Sequence, residues 1–121
     1  MKLKGFTLLE LLVTVACVGL LFSLSLPSLV SLAGQLTLNN QARVISSNLR
    51  VLQAEAETQH TRLTFALPSL PNGVNLIKPA NFSFAASGFP VPGGSGTLII
   101  GNKFGQQRKI ILSSAGRVRL E

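Results

Sequence analysis

Few residues of this 121-residue chain have a type and spacing that could do chemistry. Glu10 is the one charged residue between Phe6 and Ala42. A charged group on a bilayer helix costs about 2.5 to 3.5 kcal/mol at the centre and less toward the edge, so Glu10 needs a partner or a place among headgroups. Cys17, the only cysteine, lies in the same apolar run. It forms no intramolecular disulfide or thiolate metal cluster and reads as a small apolar packing residue. His60 has no second histidine and no aspartate near it, and so reads as a surface or helix-end residue rather than a catalyst or ligand. The stretch Pro92-Gly93-Gly94-Ser95-Gly96 lacks the Lys-Ser/Thr and following helix of a phosphate-binding loop, and is read as a plain loop.

Arg117 and Arg119 are the remaining candidates, alternating with Val118 and Leu120 near the C-terminus. In a strand the two guanidinium groups point to one side about 6.6 Å apart, which suits adjacent phosphates, while Val118 and Leu120 face a core. Gly116 permits the turn that aims this strand, and Lys103, Arg108 and Lys109 could widen the basic patch. The plainer alternative is the solvated face of a half-buried strand. Phe104 is the nearest aromatic residue and the chain has no Tyr or Trp, so any nucleic acid would be held mainly by its backbone, with weak base stacking and no sequence preference. These residues support no enzyme, metal site or cofactor.

The charge is as uneven as the hydropathy. Eleven Lys and Arg face four Glu, and beyond Gln35 nine basic residues against three acidic ones leave +6. Such a balance attracts nucleic acid, anionic lipid or an acidic protein surface, and says nothing of fold.

The elements that must position these groups begin with Phe6 to Leu32, an apolar run longer than the ~20 residues that span a bilayer. Lys2 and Lys4 precede it and no basic residue follows before Arg43, so the charge bias keeps the N-terminus in the cytoplasm and faces the rest of the chain outward. A secretory signal cut near Ala33-Gly34 is the competing reading. Leu38, Ala42, Ile45, Leu49, Leu52 and Ala56 then recur at intervals of four and three, one stripe of an amphipathic helix. A helix is therefore expected over roughly 6 to 60, with a break near Pro27, whose ring removes an amide donor and crowds the preceding turn. Beyond His60, short strands are expected at 62–67, 74–78, 82–86, 97–101, 108–113 and 117–120, separated by Pro- and Gly-rich turns. The fold class is α+β: a long N-terminal helix packed on a small antiparallel sheet that needs the helix stripe to complete its core.

Lys4-Gly5-Phe6-Thr7-Leu8-Leu9-Glu10 resembles the signal of type IV pilins and pseudopilins: a basic leader, Gly, then Phe-Thr-Leu and a Glu at the fifth position after the cut. The resemblance implies that a prepilin peptidase cleaves between Gly5 and Phe6 on the cytoplasmic side and N-methylates Phe6. It also implies that Glu10 pairs with the Phe6 amine of a neighbouring subunit during filament assembly, and that Pro27, the twenty-second residue after the cut, sits where many pilins carry a helix-interrupting proline. The expected organisation is a leader at 1–5, a membrane and filament-core helix at 6–34, and a periplasmic or extracellular pilin-like domain at 35–121.

The closing segment Gly116-Arg117-Val118-Arg119, with the Gly-rich stretch and Lys109-Ile110-Ile111-Leu112, resembles the C-terminal hairpin of the GspH/FimT group of minor pilins and pseudopilins, ComGD-like competence proteins included. In DNA-uptake members of that group the Gly-Arg-x-Arg element is associated with DNA binding. The expectation is a single-pass inner-membrane precursor that enters a type IV pilus-like filament with other pilin subunits and binds DNA for transformation. The alternative is a purely structural GspH-like pseudopilin of a type II secretion system.

Overall fold

A computed structural model describes residues 5–121, and the chain divides into two compact units, Met1–Ala33 and Gly34–Glu121. Helix α1, Leu8–Gln59, contributes to both.

In the first unit α1 starts on a cap. Thr7 accepts the Glu10 amide hydrogen on its Oγ1 at 3.2 Å, and its carbonyl accepts from the Leu11 amide at 3.2 Å. Thr7 is thus the N-cap and Glu10 the third helical residue, the spacing of a Thr-x-x-Glu capping box. The apolar side chains that follow are exposed, and the helix is long and apolar enough to cross a membrane. Its hydroxyls turn inward: Thr14, Ser23, Ser25, Ser28 and Ser31 each donate to a carbonyl three or four residues back, at 2.8 to 3.0 Å. In hydrocarbon, where no water replaces a lost partner, this leaves the helix without a free hydroxyl donor at those positions. Helical structure continues through Pro27, so the break expected there is absent from this conformation. The proline removes one ladder hydrogen bond, a defect that the turns on either side can bridge.

In the second unit Leu38, Ala42, Ile45, Leu49 and Ala56 are fully buried and Leu52 packs beside them, as the spacing required. They meet the inner face of a four-stranded antiparallel sheet ordered β2-β4-β5-β6: β2 Val74–Lys78, β4 Gly96–Asn102, β5 Gln107–Leu112 and β6 Val118–Leu120. That face contributes Val74, Leu98, Ile100, Ile110 and Leu112 to the core. The single expected sheet is in fact two. β1, Leu63–Thr64, and β3, Ser83–Phe84, form a separate two-stranded ladder that adds Phe82 and Phe84 to the same core. β3 stays short because its other edge is taken by the loop: the Ser83 amide donates to the Gly94 carbonyl at 3.2 Å, and the Val91 amide to the Ser83 carbonyl at 3.0 Å. A Cβ on Gly94 would lie 2.5 Å from the Ser83 carbonyl oxygen, so the glycine-rich stretch is a packing element seated on β3.

α1 ends at His60, which takes the left-handed conformation (φ 50°) while the Thr61 amide donates to the Ala56 carbonyl at 3.2 Å. That is a Schellman-type C-cap built on histidine where glycine is usual.

Candidate functional site

Two places collect the residues singled out by type. The first is the start of α1. Gly5 and Phe6 are exposed and non-helical, directly before the Thr7 cap, so the Gly5-Phe6 bond is accessible. Glu10 lies in the first helical turn, where the helix dipole favours an acid. Lys2 and Lys4 of the expected leader lie outside the described residues.

The second is the outer face of the four-stranded sheet. The β5–β6 hairpin turns through Ser113 to Arg117: the Gly116 amide donates to the Ser113 carbonyl at 2.9 Å and the Ser113 amide to the Arg117 carbonyl at 3.0 Å. Gly116 has φ 79°, a conformation that favours glycine, and a Cβ there would come 3.0 Å from Gln53 Nε2 on α1. The turn therefore fixes which way β6 faces. Register sets Val118 against Leu112, Arg119 against Ile111 and Leu120 against Ile110. Since Leu112 and Ile110 are core residues, Val118 and Leu120 lie on the inner side and Arg119 on the outer. Val118 packs against the core, whereas Leu120, at the margin, remains 40% exposed. Arg117, two residues before Arg119 and exposed, shares its side, and neither arginine has a side-chain hydrogen bond or ion pair among the described residues.

Lys109 belongs to the same face. It is exposed on β5 and exchanges two backbone hydrogen bonds with Glu121 at 2.7 and 2.9 Å, which puts the two side chains next to one another. Lys78 joins them. A bulge between Leu76 and Lys78 sets Lys78 opposite Ile99, itself opposite Lys109. Lys78, Lys109, Arg117 and Arg119 against Glu121 leave this face with +3, four cations minus one acid.

The other two sequence candidates lie elsewhere. Arg108 alternates with Lys109 and so points to the helix side, donating from Nε to Asn39 Oδ1 at 2.6 Å in a niche shared with Arg43. Lys103 sits in the β4–β5 turn, at the end of β5 opposite to Arg117, with its Nζ 5.2 Å from the Phe104 ring centroid. The basic patch is thus narrower than the sequence expectation at Lys103 and Arg108, and wider at Lys78. Nothing in the sequence could show Lys78 on this face, because the bulge that turns it is not legible in residue types. No group of three metal-binding side chains occurs among the described residues.

Comparison with known families reaches only the N-terminal segment. A family model described as the prokaryotic N-terminal methylation motif matches residues 1–26. No curated protein and no solved structure matches the chain. The chain carries the prepilin signal of type IV pilin-like subunits, leading into a helix long and apolar enough to cross a membrane.

Proposed function

We propose that the chain is a minor pilin or pseudopilin, trimmed after Gly5, methylated on Phe6, and drawn from the inner membrane into a type IV pilus-like filament. The observation that carries this reading is the methylation motif joined to a capped helix start with Glu10 in its first turn. Cleavage leaves a positive amine on Phe6, one residue before the N-cap, where the helix dipole disfavours it by about 0.3 to 1 kcal/mol. Glu10 carboxylates offset that charge, and a neighbour's carboxylate does so as subunits stack. In the assembled filament Pro27, with one ladder bond missing, is the place where the helix yields most readily. The subunit is non-enzymatic. Replacing Glu10 with Leu makes the helix more compatible with lipid. The variant should accumulate in the membrane fraction and disappear from sheared filaments, and its normal recovery there would refute the pairing.

The exposed cations Lys78, Lys109, Arg117 and Arg119 support a second activity, binding of DNA by its phosphates without sequence preference, as in transformation. If the full chain in nonionic detergent fails to retard unrelated duplexes at low salt, the structural pseudopilin reading replaces it.

A further inference from the structure

The turn between β4 and β5 is built more firmly than a surface loop requires. Asn102 Oδ1 accepts from the Phe104 amide at 3.0 Å and the Gln106 amide at 3.1 Å, and Asn102 Nδ2 donates to Gln106 Oε1 at 2.8 Å. This holds Lys103 and Phe104 at the tip. Phe104 rests on Gly34 of α1: a Cβ on Gly34 would lie 2.7 Å from its Cε2, so glycine lets the ring sit against the helix backbone. Phe104 as a whole nevertheless remains 41% exposed, and Lys103 is exposed beside it.

Gly34 follows the apolar segment immediately. With Glu10 at the membrane edge, a ~20-residue span runs from Leu11 to Val30, and Gly34 comes four residues later. Four helical residues rise about 6 Å, roughly the thickness of one headgroup layer. Spanning helices are commonly flanked by aromatic residues at both headgroup layers. This helix has none on that side: from Leu32 to Ala42 it carries no Lys, Arg or aromatic residue. The hairpin tip brings an aromatic ring to Gly34, with a lysine beside it.

We propose that the Lys103-Phe104 tip is a membrane-interface anchor, docking on anionic lipid headgroups while the subunit waits in the bilayer before assembly. Phe104 supplies the apolar contact at the acyl boundary and Lys103 the charge. The inference rests on the membrane-anchored reading of the helix.

The chain has no Trp or Tyr, so Phe104→Trp introduces a single fluorophore at the tip. The full chain is reconstituted into vesicles of phosphatidylglycerol and phosphatidylcholine, and into phosphatidylcholine alone, with lipids brominated near the headgroup end of the acyl chains as quenchers. Blue-shifted emission, quenched by the brominated lipid and more so in the anionic vesicles, is expected. Adding Lys103→Glu should abolish the anionic preference, a change of up to about fivefold for one basic residue at such a surface. Lys103→Trp, at a position free of core packing, provides a second reporter if the first variant does not fold. Co-flotation with vesicles while both reporters emit as in water, unquenched, overturns this inference alone. Failure to float with vesicles overturns the anchored reading and this inference together.

Discussion

Replacing both Arg117 and Arg119 with Gln tests the nucleic-acid reading at the residues that define it. Both are exposed and, among the described residues, neither side chain has a hydrogen bond, so the double variant loses charge without losing packing. If Lys78, Lys109, Arg117 and Arg119 each neutralise one phosphate, the logarithm of the binding constant for duplex DNA falls with the logarithm of salt with a slope of about −3.6. Removing two contacts leaves about −1.8. Between 50 and 200 mM salt the wild-type affinity should therefore drop on the order of 150-fold and the variant's only about 12-fold. Fluorescence anisotropy of the full chain in nonionic detergent, titrated with two unrelated duplexes at several salt concentrations, measures both slopes. Circular dichroism must show the variant folded as the wild type is. Equal slopes for the two proteins, or affinity that depends on the duplex sequence, would refute the assignment of these arginines to phosphates.

Two further substitutions probe how the frame is held. His60→Gly should stabilise the fold by about 1 kcal/mol, since glycine adopts the left-handed cap without the steric cost of a side chain. Thermal denaturation followed by circular dichroism reads this as a raised midpoint, and a lowered one would show that the imidazole makes a contribution the cap geometry does not reveal. Gly94→Ala forces a Cβ against the Ser83 carbonyl oxygen, a backbone atom that cannot swing aside. Overpacking of this kind costs about 1 to 3 kcal/mol, so chemical denaturation should show a clear loss, and a neutral result would mean the loop moves freely on β3.

The helix stripe was legible because its spacing is a property of the helix alone: all six residues chosen by interval lie in the core or against it. β2 was legible to the residue, bounded by Pro71-Asn72-Gly73 before it and Pro79 after it. β1 and β3 were read too long and into one sheet. Their length is decided by who pairs with them, and the loop at 90–94 occupies an edge of β3 that residue types leave open. The candidate site shows the same division. Same-side placement of Arg117 and Arg119 follows from alternation, and the turn at Gly116 from its glycine. The side taken by Arg108 depends on strand register and on Asn39, 69 residues away. Lys78 depends on a bulge. At Pro27 a local rule suggests a break, whereas the helix runs on with one hydrogen bond fewer.

Processing of the chain as a pilin-like subunit is tested most directly at the N-terminus. The full chain is coexpressed with a prepilin peptidase, purified from membranes, and its N-terminal peptide sequenced by mass spectrometry. A chain beginning at Phe6 with one added methyl group on its amine is the expected result. An intact leader, or a first residue near Gly34 as a secretory signal would leave, would contradict it.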